Sequence, residues 1–202
     1  MDPEQAAHAH VIALRLEERL QDVLALIDDE PSKKHALTRL DVHTYLSELC
    51  ALLRHRAEQR HMHIDIDAPP TSIPLDPKLL SPILINLIAN ALAAGDHGTV
   101  RVSVSIDQQH NISCWQVIDD GPGIPSDIAE RIKEACKRGE VLPGTPGLGL
   151  GIALVLANLR MLGGQLSLHD TSPSGTSITF TLPLDDGAGN QRMHSSERFI
   201  RH

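Results

Sequence analysis

Apolar residues recur along this chain with different periods, and each period predicts a different element. Between residues 5 and 28, Ala6, Ala9, Ala13, Leu16, Leu20, Val23 and Ile27 fall at steps alternating three and four, with Ile12 and Leu24 widening the stripe. That is a heptad seam on a helix. One helix cannot bury such a seam alone. It needs a partner helix, most simply from a second copy of the chain, or else it packs on the rest of this domain. The polar run "DDEPSKKHA" (28–36) contains a proline and marks a boundary.

Beyond it, Asp41 can cap a helix running to about Arg60, with Leu46, Leu49, Leu53 and Ala57 on one face. "HMHIDID" alternates and reads as a strand ended by Pro69 and Pro70. A helix follows from Asp76 to Ala94, then strands "TVRVSVSI" and "ISCWQVI" joined by "DQQHN". A short helix near 126–137 and a Gly/Pro-rich loop precede a helix from about Gly149 to Leu162, which Gly163-Gly164 ends. The last strands are "QLSLH" and "TSITFTLPL", and the tail "DDGAGNQRMHSSERFIRH" has no period and is expected to be disordered. The predicted organisation is a helix over 1–30, a linker over 31–37, one domain over 38–184 and a tail over 185–202. Strands that cluster in pairs and mix with helices predict an α+β fold, a two-layer arrangement of a mostly antiparallel sheet with helices on one face.

Composition narrows the function classes. Of 202 residues, 41% are hydrophobic but only 2% aromatic, so the core must be aliphatic. A net charge of -8 argues against nucleic-acid binding, which needs a clustered basic face. Cys50, Cys114 and Cys136 have neither metal nor redox spacing, and an odd count is no disulfide framework. The expected compartment is the cytoplasm, for a free protein or for the cytoplasmic part of a membrane sensor. The start "MDPEQAAHAH" lacks the regions of a signal peptide. The most apolar run, residues 79–95, is short for a bilayer span and carries Asn86 and Asn90, so it reads as a buried helix with no membrane segment.

Three stretches carry candidate chemistry. Asn86 and Asn90 are four apart and share a helix face otherwise made of Leu, Ile and Ala. Amides facing hydrocarbon without partners cost a few kcal/mol each, roughly, so they require either backbone partners or a hydrated cation with phosphate oxygens. "DDGPGIP" (119–125) runs two carboxylates off a strand into a glycine–proline–glycine bend. "GLGLG" (147–151) places glycines at alternate positions before a helix, where backbone N–H groups can approach an anion. Each stretch is weak alone, since turns and flexible loops look similar.

In this order, Asn-x-x-x-Asn, Asp-x-Gly-x-Gly and Gly-x-Gly-x-Gly resemble the GHKL (Bergerat) ATP-binding fold of histidine kinases, Hsp90, DNA gyrase and MutL. "GLGIALVLANLRMLGG" and "GTSITFTLPL" narrow the resemblance to the catalytic domain of bacterial two-component sensor histidine kinases, over about 38–184. The resemblance implies ATP and Mg²⁺ as cofactors. It makes Asp119 the acceptor for the adenine amino group, with Gly121, Gly123 and Ile124 letting base and backbone approach, and Asp120 solvated. It makes Asn90 the Mg²⁺ ligand, with Asn86 beside it. Gly147, Leu148, Gly149, Leu150 and Gly151 would cradle the phosphates, under a lid over 126–146 whose Lys137 or Arg138 could neutralise the γ-phosphate.

Hydrolysing members carry a glutamate where Asn86 stands; an amide cannot act as a base, so ATP would be held for a nucleophile supplied elsewhere. Implied partners are a histidine-bearing dimerisation hairpin, in a longer chain or another protein, and a response-regulator receiver domain, with homodimerisation through the N-terminal helix. His8 and His10 lack the acidic neighbour of an acceptor histidine, and residues 5–28 correspond better to the second hairpin helix. Two departures from the family pattern are Ala93 and Ala94, where a cation and then Tyr or His are common, and a lid without phenylalanine. They leave open a nucleotide-binding pseudokinase or adaptor, and more remotely an anti-sigma serine kinase of the same fold.

Overall fold

The computed structural model describes residues 37–140, 149–170 and 175–184. The heptad segment and the C-terminal tail lie outside the described residues. Strand β1 (Thr38–Asp41) leads into α1 (Val42–Gln59), capped by Asp41, whose carboxylate accepts the Thr44 N–H at 2.8 Å. The strands β2 (Met62–Asp67) and β3 (Ser72–Leu75) follow, then α2 (Pro77–Ala94), with Asp76 accepting the Lys78 N–H at 2.9 Å. The rest is β4 (Gly98–Asp107), β5 (Ile112–Asp119), α3 (Ser126–Arg138), α4 (Leu150–Met161), β6 (Gln165–Asp170) and β7 (Thr176–Pro183).

β1 and β3 form a small antiparallel ladder, Thr38 opposite Leu75 and Asp41 opposite Ser72. Neither is predicted from the sequence pattern, because four residues, one run broken by Pro74, give no period to read. The main sheet has the order β2-β4-β5-β7-β6; only the β2–β4 pair is parallel. Alternation sends Val100, Val102, Val104, Trp115, Val117, Phe180 and Leu182 to the helix-covered face, all buried. Arg101, Ser103, Cys114, Gln116 and Thr179 take the other face and are not buried. The fold is the expected α+β arrangement, a mixed, mostly antiparallel sheet under helices.

With so few aromatics, Trp115 and Phe180 are used where they count. They are cross-strand partners, stacked at 5.8 Å between ring centroids and fully enclosed. The Trp115 indole N–H donates to Ser113 Oγ at 2.9 Å, so its polar atom is satisfied. α2 is by composition apolar enough for a membrane, with mean hydropathy 1.4 over 18 residues. Its Leu80, Ile83, Leu84 and Ile88 are instead fully enclosed within the domain core that includes α1, α4 and the sheet, as expected of a buried helix.

Candidate functional site

Parity in β5 decides where the acid goes. Trp115, Val117 and Asp119 share one side of the strand, so the last residue of β5 carries its carboxyl to the helix-covered face, 7% exposed. Asp119 Oδ1 accepts the Gly121 N–H at 3.0 Å, and Thr176, its cross-strand partner in β7, donates through hydroxyl and backbone N–H. Burial pushes the carboxyl above its ordinary value; the bonds from Gly121 and Thr176 oppose that, and the charge of Asp120 adds to it. The approach is tight on two sides. A Cβ on Gly121 would stand 2.8 Å from Asp119 Oδ1 and 3.3 Å from Ala94 Cβ, and one on Gly175 would overlap the Asp119 carbonyl oxygen. Gly175 also has a φ of 145°, which side-chain-bearing residues rarely adopt.

Asn86 and Asn90 do not face bare hydrocarbon. The Asn86 side-chain N–H donates to the Pro82 carbonyl one turn back, at 2.9 Å, so backbone satisfies half of its amide. Its Oδ1 points at the start of α4, where a Cβ on Gly151 would come within 2.8 Å of it and 3.8 Å of Asn90 Nδ2. Asn90 is exposed, and no partner for its amide is found among the described residues. Glycine at 151 is what lets α4 begin against the two amides.

These pieces surround one cavity of about 290 Å³. Asn90, Asp119, Gly123, Ile124, Gly149 and Gly151 line it, together with Thr176. Apolar side chains from α2, α3, α4 and the sheet, among them Leu87, Ala91, Ile128, Ile152 and Ile178, complete the wall. A largely aliphatic slot with one acid and one hydroxyl in its wall suits a flat base bearing an amino group. The open glycine and amide side suits phosphate. Asn86 and Leu150 stand beside this lining; Gly147 and Leu148 lie outside the described residues.

Two predicted residues are placed elsewhere. Lys137 Nζ binds Glu134 Oε1 at 2.7 Å, and Arg138 lies 3.8 Å from the other oxygen of the same carboxylate. Both line a separate cavity of about 720 Å³ between the end of α3, α4 and β6. Spacing three and four residues after Glu134 on a helix makes those ion pairs local. Among the described lining residues of the smaller cavity there is no Lys or Arg. Sequence reasoning also missed Thr176 and Gly175; the available signal was "GT" opening the last strand, opposite the acid once β5 and β7 are paired. Asp120 is exposed, as expected, but not idle: both its oxygens lie 3.1 Å from the Thr99 N–H.

In this two-layer α+β fold, Asp119, the Asn90 amide, Gly123, Gly149 and Gly151 line one slot. Residues 75–186 match the model of the histidine kinase-, DNA gyrase B- and HSP90-like ATPase family, and the chain belongs to that family. Among curated relatives, it is 29% identical over 199 residues to the non-motile and phage-resistance protein of Caulobacter vibrioides, covering 95% of this chain and 22% of that protein. It is 35% identical over 124 residues to the signal transduction histidine-protein kinase AfsQ2 of Streptomyces coelicolor, covering 60% and 23%. The chain thus spans under a quarter of each of these two relatives. Two solved structures share the fold. The Acinetobacter baumannii histidine kinase AdeS matches with a TM-score of 0.74 at 18% identity, over 92% of this chain and 87% of that one. Full-length ShkA in complex with AMPPNP matches at 0.72 and 24%, over 91% and 39%.

Proposed function

We propose that this chain is the catalytic module of a sensor histidine kinase, which binds Mg·ATP and passes the γ-phosphoryl group to a histidine on a hairpin of a longer chain or of another protein, for relay to a response-regulator receiver domain. The observation that carries it is the single cavity lined at once by Asp119, Asn90, Gly149 and Gly151. Asp119 accepts from the adenine amino group, and its burial makes a base without that donor costly to bind. No group of three or more His, Cys, Asp or Glu able to hold a metal exists among the described residues. A magnesium ion here would therefore be held by the Asn90 amide oxygen with ligand phosphates and water, which suits a hard cation that keeps several waters. When bound, it supplies charge neutralisation at the phosphates. Asn86, with its N–H committed to Pro82, positions rather than deprotonates. The domain extends over about 38–184, the segment before it dimerises, and the site works in the cytoplasm.

The test is incubation of the full chain with radiolabelled ATP, alone and with an isolated acceptor hairpin. Label on the hairpin is expected, with none retained on this chain. Asn90→Ala and Asp119→Asn should each lose nucleotide; normal ATP binding by either overturns the site. One observation favours a second reading, a nucleotide-binding adaptor without transfer. Ala93 and Ala94 supply no cation, and Lys137 and Arg138 are engaged with Glu134. Tight ATP binding with no label on any acceptor would select it.

A further inference from the structure

The β4–β5 ladder ends at the rung Val100 opposite Asp119, and its continuation would pair Thr99 with Asp120. That rung is not made by backbone. The Thr99 N–H is instead taken by the Asp120 side chain, with Oδ1 and Oδ2 both at 3.1 Å. The strand therefore stays tethered to β4 while its main chain is released into the Gly121-Pro122-Gly123 bend. The seat for this carboxylate is shaped by Gly98, whose φ is 120° and on which any Cβ would overlap Asp120. Asp119 and Asp120 are consecutive, so their side chains leave the backbone on opposite sides: one into the cavity, the other onto β4.

We infer that Asp120 is a positioning residue for nucleotide recognition: by taking the place of the last ladder rung, it fixes the bend that aims the Asp119 carboxyl into the cavity. The inference rests on the nucleotide reading of that cavity. Asp120 can act on its neighbour in two ways, by position or by charge. Its negative charge adjoins Asp119, whereas its contact with Thr99 needs only an acceptor oxygen at that reach. The two ways separate cleanly by substitution. Asp120→Asn keeps an acceptor at the same reach and removes the charge. Asp120→Glu keeps the charge and displaces the oxygens by one methylene. Asp120→Ala removes both.

Full-length variants would be titrated with ATP and GTP by calorimetry, with thermal unfolding and Thr99 amide exchange measured alongside. Asp120→Ala and Asp120→Glu are expected to bind ATP about tenfold more weakly, to narrow the ATP-over-GTP preference and to lose Thr99 protection. Asp120→Asn should stay within about threefold of the parent in all three, since its oxygen still accepts. A parent-like Kd and nucleotide preference in both Asp120→Ala and Asp120→Glu overturns the inference. So does the reverse order, Glu rescuing and Asn failing, because then charge is what matters. Should Asp120→Ala not fold, the Asn and Glu variants make the same decision. Asp119→Asn separates the two levels of the argument. If it loses ATP while the Asp120 variants do not, only the positioning role fails; if it binds ATP normally, the nucleotide reading fails and takes this one with it.

Discussion

At the scale of single residues, the site is built by removing side chains as much as by adding them. Gly151 and Asp119 show the two sides. A methyl on Gly151 would meet Asn86 Oδ1 at 2.8 Å, the far end of a side chain that can rotate. Gly151→Ala should therefore fold with a nearly unchanged Tm yet weaken nucleotide binding about tenfold, because Asn86 swings away from the phosphate side; calorimetry beside thermal unfolding checks the split. At Asp119 burial disfavours the charged form, and the bonds from Gly121 and Thr176 offset that only in part. Burial raises its pKa above the unfolded value, so the folded chain binds that proton more tightly than the unfolded chain does. The stability it contributes is present below the unfolded pKa, near 3.8, and is lost as pH rises through the raised folded value. At neutral pH the ligand-free protein thus carries a strained charge, and Asp119→Asn should have a higher Tm there, an advantage that shrinks as pH is lowered. The cost falls on function. Parent protein at a hundredfold excess of ATP over Kd should gain about 2.7 kcal/mol, and the variant almost none. Parent affinity for ATP should fall on acidification through the raised pKa, since a protonated carboxyl no longer accepts freely.

At the scale of elements, the helices were legible and the small ladder was not. Asp41 caps α1 as expected, and Asp76, where the second helix is expected to begin, caps α2. Asp76 is 3% exposed, so Asp76→Ala should destabilise the domain by about 1–2 kcal/mol in denaturant unfolding, with Asp76→Asn well short of that. The strands "TVRVSVSI" and "ISCWQVI" were legible because one sheet face is open, which enforces clean alternation; β1 and β3 are too short to alternate. The motifs named the acid, the amides and the glycines, but not Thr176, because its role comes from the β5–β7 register that places it opposite Asp119. Lys137 and Arg138 show a limit of spacing: the sequence puts both charges near the site, and in the folded chain both pair with Glu134 on the same helix. Glycines also divide by element. Gly164 ends the turn after α4, and a Cβ there would lie 2.6 Å from Leu182 Cδ2 and against the Thr181 carbonyl, a backbone atom that cannot rotate away. Gly164→Ala should cost about 1–3 kcal/mol in unfolding while folded protein keeps its ATP affinity, the opposite pattern to Gly151→Ala.

At the scale of the whole molecule, the question is what buries the apolar seam of residues 5–28. The domain has little to offer it. Among the described residues the exposed large hydrophobics are Leu37 just before β1, Leu52 on α1 and Met161 at the end of α4, rather than a run along one element. The cavity of about 720 Å³ between α3, α4 and β6 is rimmed by Lys133, Lys137, Arg138 and Arg160, which match the acids of "EERLQDVLALIDDE" but not its leucines. A seam of seven apolar positions needs a surface of comparable length and regularity, and the same seam on another copy is the simplest one. The full chain is accordingly expected to sediment as a dimer, and Leu20→Glu, which places a charge in the middle of the seam, as a monomer. Both should bind ATP with the same affinity, because Asp119, Asn90 and Gly151 all lie within one copy of the domain. A monomeric parent chain, or a loss of ATP affinity in Leu20→Glu, would mean instead that the seam packs on its own domain.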